Sequence, residues 1–154
     1  MQTIHTTRLL VRTRWFAGIA LALCAGIAMA NMSSISVHNP RIRLLPGDLP
    51  LAGYFDLHNG GKKTVTLTGA SCPDFGKVMM HHSISRNGQE TMVMVMKRDV
   101  APGKSIHFAP GGYHLMMMKR KHEIKVGQEL PVTLHFRDGH TMRVNFRVGG
   151  ATIQ

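Results

Sequence analysis

The feature that most limits what this chain can become is its punctuation. Apolar and β-branched residues come in short runs, and most runs are bounded by turns that carry Gly, Pro or Asn. Tyr54 to His58 alternates, meets Asn59-Gly60-Gly61, and is followed by a second alternating run, Thr64 to Thr68; that pattern predicts a first hairpin. Pro131 to Phe136 and Thr141 to Val148 flank Arg137-Asp138-Gly139-His140 and predict a second. In it Met142, Val144, Phe146 and Val148 share one face and Arg143, Asn145 and Arg147 the other. Between the two hairpins, Lys77 to His82, Thr91 to Met96, Ser105 to Phe108 and Tyr113 to Met118 read as further strands, separated by Gly- and Pro-bearing turns. No segment sustains a 3.6-residue apolar period. The expectation is an all-β Greek-key sandwich or barrel in a single domain.

The first thirty residues are set apart from that domain. Arg8, Arg12 and Arg14 precede an uncharged apolar stretch from Trp15 to Ala30 that ends in Ala28-Met29-Ala30, the small-x-small pattern of a secretory cleavage site. Residues 1–30 therefore read as a signal peptide and 31–154 as the folded domain of an exported protein. A retained N-terminal anchor is the alternative, although the apolar run falls short of the roughly 18 residues a span needs. Losing the three leader arginines takes the formal charge from +11 to +8. Cys24 leaves with the leader, so Cys72 is the one remaining thiol and no internal disulfide can form. An exported basic chain without a recognition motif is not expected to bind nucleic acid.

The twelve methionines and ten histidines are unusual for 154 residues, and their placement is more informative than their number. Nine of the Met lie between Met79 and Met142, concentrated in Met79-Met80-His81-His82, in Met92, Met94 and Met96, and in His114 with Met116 to Met118. A core gains little from so many flexible side chains where Leu or Ile would pack more rigidly. Thioether sulfur is soft and neutral and favours Cu(I), and imidazole also suits copper. In a strand, residues two apart share a face, which makes His114 and Met116 a two-donor unit beside the Pro110-Gly111-Gly112 turn and lets only one of His81 and His82 enter the same site. The Met92, Met94, Met96 stripe taken alone reads as core, and His38, His58, His107, His122, His135 and His140 as surface or hydrogen-bonded residues. Cys72 reads as inert, and Lys119 to His122 as a solvated basic loop.

His81, ten residues, Met92, twenty-one residues, then His114-Leu115-Met116 matches without a gap the His-x10-Met-x21-His-x-Met signature of the PCu(A)C family of periplasmic copper chaperones, which this chain resembles from about Ser36 to Val148. Pro110-Gly111-Gly112-Tyr113-His114-Leu115-Met116 and Tyr54 to Gly60 also resemble family segments. The resemblance implies a cupredoxin-like Greek-key β-sandwich that binds one Cu(I) through His81, Met92, His114 and Met116. It further implies delivery to the copper centres of cytochrome c oxidase, alongside Sco-type thiol proteins. Met79, Met80, Met94 and Met96 exceed the family pattern and leave room for alternative ligands or a second weak site.

Three other readings stand beside it. A protein that sequesters or senses copper would carry the same ligands. A blue-copper electron carrier would need a Cys thiolate with two His, and Cys72 is not in the short Cys-His-Met loop such sites use. An enzyme is not expected, because no nucleophile-base or carboxylate pair stands out among eight acidic residues.

Overall fold

A computed structural model describes residues 34–152, so the signal-peptide reading of residues 1–30 lies outside the described residues. Ten strands follow one another with no helix among the described residues: β1 (Ile35–Arg43), β2 (Leu51–Asn59), β3 (Val65–Ser71), β4 (Phe75–Arg86), β5 (Gln89–Met94), β6 (Arg98–Val100), β7 (Ser105–Phe108), β8 (Tyr113–Arg120), β9 (Glu129–Phe136) and β10 (Thr141–Gly149). They form one hydrogen-bonded series, β5-β4-β8-β7-β2-β1-β10-β9-β3-β6, in which the start of β2 also pairs with β8. The inward side chains of both halves of the series meet in one core. At its centre Phe55 of β2 stacks on Phe108 of β7 with centroids 4.4 Å apart, and meets Phe146 of β10 edge-on at 5.6 Å. This is the expected cupredoxin-like all-β sandwich.

The closing hairpin is where the sequence places it. β9 and β10 pair antiparallel from Thr141↔His135 to Arg147↔Glu129. Phe146 and Val148 are buried, while Arg143, Asn145 and Arg147 face solvent.

The first hairpin does not form. β2 pairs with β1, β7 and β8, whereas β3 pairs with β6 and β9. A two-residue type I′ turn needs positive φ at both central residues, and neither Gly60 nor Gly61 is in that region. The tight hairpin is instead β4–β5, where Asn87 (φ 52°) and Gly88 (φ 76°) join the Arg86↔Gln89 pair. Asn59 is used differently. Its fully buried side chain donates to the carbonyls of Lys63 and Val100, both at 2.8 Å, and accepts from the Gly61 N–H at 3.0 Å. It thereby ties the crossing between the two halves of the sandwich to the end of β6.

The segment after β8 is exposed, as a solvated loop would be, yet it is tethered rather than free. Lys121 Nζ donates to the Pro73 carbonyl at 2.7 Å and His122 Nε2 bonds Asp74 at 2.7 Å. The Arg120 guanidinium donates to the carbonyls of Gly47 and Leu49, holding the β1–β2 loop in place.

Replacing Asn59 by Ala strands the buried Val100 carbonyl and takes the partner from the part-buried Lys63 carbonyl and Gly61 N–H. The buried carbonyl costs about 1–3 kcal/mol and the two part-buried groups, which water can reach, less, so urea unfolding should show a loss of about 2 kcal/mol. Asn59→Ala with an unchanged midpoint would mean that the crossing is held by other contacts.

Candidate metal centre

The candidate site is built on the outer face of β5, β4, β8 and β2, turned away from the core. Register decides this. Met80, Leu115 and Met117 are buried on the inner face of β4 and β8, so their immediate neighbours point outward. His81 stands directly opposite His114, and Met79 opposite Met116. On the other flank of β4, Met94 stands opposite His81 and Met92 opposite Ser83. Cross-strand partners share a face, so His81, His114, Met116 and Met92 are gathered on one patch with His81 at its middle. His82, as strand alternation requires, is on the opposite face, where its ring stacks on Tyr113 at 4.2 Å.

The two imidazoles lie edge to face with centroids 5.8 Å apart. His114 is buried, and its Nδ1–H donates to the Gly112 carbonyl at 3.2 Å. The same carbonyl accepts the Ser83 N–H at 3.1 Å, fixing the turn against β4. A carbonyl can only accept, so Nδ1 carries the proton and Nε2 of His114 presents its lone pair, the usual way a ligating imidazole is oriented. His81 Nδ1 is buried without a hydrogen-bond partner. A buried ring nitrogen left unpaired calls for an explanation, and a soft cation is one that fits it.

Both imidazoles resist protonation. Burial pushes the His114 pKa below its ordinary value of 6.5; the Gly112 hydrogen bond opposes this, and the positive charge of Arg43 reinforces it. His81 is lowered by burial first, then by the neighbouring His114 and by Lys77. The site therefore keeps neutral nitrogen donors at neutral pH.

A cavity of about 300 Å³ opens over Met92, His114 and Met116. Its far wall comes from elements the sequence reading left out of the site: Arg43 of β1, Ala52 and Tyr54 of β2, and Leu45, Leu49 and Pro50 of the loop pinned by Arg120. The Arg41 and Arg43 guanidiniums lie 5.5 and 5.8 Å from the Tyr54 ring centre. Burial raises the Tyr54 pKa against the opposing pull of the two arginines, so the phenol stays neutral. Tyr54 could have been found from its place in the Tyr54 to Gly60 segment; nothing local marked Arg43 or the loop.

One sequence reading changes here. The Met92, Met94, Met96 stripe is not core: these residues are 58%, 59% and 71% exposed, and β5 is an edge strand with no partner on its outer side. Cys72, read as inert, is buried in the turn before β4, where it donates to Asp74 at 3.4 Å and burial pushes its pKa up to about 11. His81 is six residues further along β4 than Phe75, about 20 Å at the rise of a strand, so the thiol stands apart from the imidazoles. Among the described residues no three His, Cys, Asp or Glu side chains converge; a metal on this face would draw on thioethers.

Known proteins share this architecture. The family described as putative lipoprotein LpqE-like matches residues 35–148. A putative lipoprotein of Leifsonia xyli subsp. xyli is 36% identical over 94 residues, 60% of this chain and 57% of that protein. An uncharacterized protein of Rickettsia prowazekii is 31% identical over 98 residues, 63% of this chain and 54% of that one. The chain thus spans little more than half the length of these relatives. Among solved structures, the copper-bound PCuAC domain from PmoF2 superposes with a TM-score of 0.64 at 21% identity, over 76% of this chain and 93% of that domain. Apo-DR1885 from Deinococcus radiodurans superposes at 0.61 with 25% identity, over 96% and 97% of the two chains. Its CuI form gives 0.61 at 22% identity, over 83% and 85%. The chain belongs to the LpqE-like family and carries the PCuAC fold.

Proposed function

We propose that this protein is a periplasmic Cu(I) carrier that holds one ion through His81, Met92, His114 and Met116 and hands it to copper centres of cytochrome c oxidase or to Sco-type thiol proteins. The observation that carries the proposal is the register of β5, β4 and β8, which puts the two imidazoles opposite each other on one sheet face with Met92 and Met116 on that same face to either side. The orientation of His114 by Gly112 supports it, as do the copper named in the PmoF2 domain and the CuI of DR1885, proteins of the same fold. Export rests on the basic-then-apolar leader and agrees with the lipoprotein description of the family.

The donor set suits cargo that must leave again. Cu(I) has a filled d shell and accepts two to four ligands without a strong geometric preference, so donors can be exchanged one at a time. All four proposed donors are neutral. They bind a soft ion without the charge attraction a thiolate supplies, and an acceptor offering thiolates would draw the ion onward. Met92 is exposed and the cavity over Met116 and His114 is open on that side, which gives an incoming ligand access.

Four outcomes follow. Met116→Leu keeps apolar volume and removes one sulfur, so Cu(I) affinity measured against a chromophoric chelator should fall about tenfold while the urea midpoint barely moves; equal affinity would take Met116 out of the site. X-ray absorption of the loaded protein should count two sulfur and two nitrogen neighbours, and a shell of oxygen donors would end the reading. The pH dependence is fixed by sign. Protons compete for an imidazole only below its pKa, and both are held under 6.5, so affinity should be level from about pH 8 to 6.5. Below the two pKa values it should fall by up to about a hundredfold per pH unit. Mixing loaded protein with an apo oxidase copper domain separates a carrier, which transfers the ion, from a reservoir, which keeps it.

A further inference from the structure

The outer face of β5 and β4 holds two thioethers that the proposed site does not use: Met79, which stands opposite Met116, and Met94, which is placed beside the central donor. Met94 stands directly across from His81, with Met92 two residues away on the same strand face. Directly opposed residues have Cβ atoms about 5 Å apart and diagonal ones about 7 Å, within reach of flexible thioether side chains. Met94 does nothing for the core: it is 59% exposed on an edge strand. The same strand is polar at Gln89, Glu90 and Thr91, as an exposed edge normally is. The other methionines here are accounted for differently: Met79 is half-buried opposite Met116, beyond the length of β4 that β5 pairs. Met80 and Met117 are core, and Met96 lies past the end of β5.

We propose that His81, Met92 and Met94 form a second, outer position for the same ion, onto which Cu(I) moves as it leaves the protein. This rests on the carrier reading above and adds a path to it. His81 and Met92 belong to both positions, so the move needs one exchange of donors and the loss of one more. A bond forms from Met94 Sδ to copper as the bond from His114 Nε2 breaks, and the Met116 Sδ bond then breaks. Each departing donor keeps its own electron pair, copper stays monovalent, and no proton moves. The ion is then held by three donors at the edge of the sheet, two of them on the exposed strand. The vacated coordination position faces solvent, where a thiolate or thioether of an acceptor can add. The inner position holds the ion; the outer one presents it.

The test is a double-mutant cycle on the full mature chain, loaded with Cu(I) without oxygen and titrated with bathocuproine disulfonate as competitor. In the parent protein the inner position dominates, and Met94→Leu should change affinity by no more than about twofold. In Met116→Leu the outer position carries the binding, and adding Met94→Leu should cost at least about tenfold. X-ray absorption should count two sulfur neighbours in Met116→Leu and one in the double variant. Met94 is exposed and Met116 half-buried, so both leucine variants should fold, and a urea melt of each verifies it. Equal cost of Met94→Leu in both backgrounds, or an unchanged sulfur count, overturns the outer position while leaving the carrier intact. Parent protein that binds no Cu(I) overturns the carrier reading itself.

Discussion

The pairing of β4 with β8 is the constraint on which the rest depends. Met80, Leu115 and Met117 are buried to 3%, 0% and 1% exposure on one face of that pair, and this apolar set fixes which residues can face the other way. A slip of one residue in either strand would carry that strand's donors into the core and bring core residues out. The core therefore specifies the site: the same packing that stabilises the sandwich puts His81 opposite His114 and leaves His82 stacked on Tyr113 on the inner side. Gly112 adds a second fastening, since its carbonyl holds both the Ser83 amide and the His114 ring. The turn that begins β8 is thus locked to the strand it must match.

How much of this was legible in the sequence depended on how local each cause was. The β9–β10 hairpin could be read because its face pattern and turn lie within one short segment. The hairpin drawn through Asn59-Gly60-Gly61 could not be judged that way. Its residue types suit a turn, but the partner that claims the Asn59 amide is the carbonyl of Val100, forty-one residues on. That contact exists only after β6 has been placed. Asn87-Gly88 offers the same kind of dipeptide, with φ positive at both residues, and there the hairpin forms.

The candidate site divides along the same line. Spacing and strand alternation put His114 with Met116 and separated His81 from His82. Composition marked Met92, Met94 and Met96 as a stripe and assigned it inward, because Val93 and Val95 between them gave no contrast in polarity. What sends the stripe outward is the position of β5 at the edge of the series, which no window of sequence contains. Arg43, Tyr54 and the loop behind Leu49 reach the cavity through the β1–β2 and β2–β8 pairings, and the loop is held by Arg120 from the far end of β8. The segment that looked like a free basic loop therefore shapes the wall of the cavity.

The charges around the site give the donor chemistry its direction. Arg43 and Lys77 bias His114 and His81 against protonation, and the same positive field acts against a bound Cu(I). A site meant for tight retention would set carboxylates or a thiolate there. Here Cys72 is kept protonated by burial in the turn before β4. The nearest fixed charges are cationic, so the ion would be held by the softness of two sulfurs and the lone pairs of two imidazoles, with electrostatics working toward release. An acceptor that brings negative charge with its ligands relieves that repulsion as it takes the ion. A cationic rim around neutral donors therefore weakens electrostatic retention of the ion, as the proposed carrier role requires, and it does so before any partner-specific contact is made.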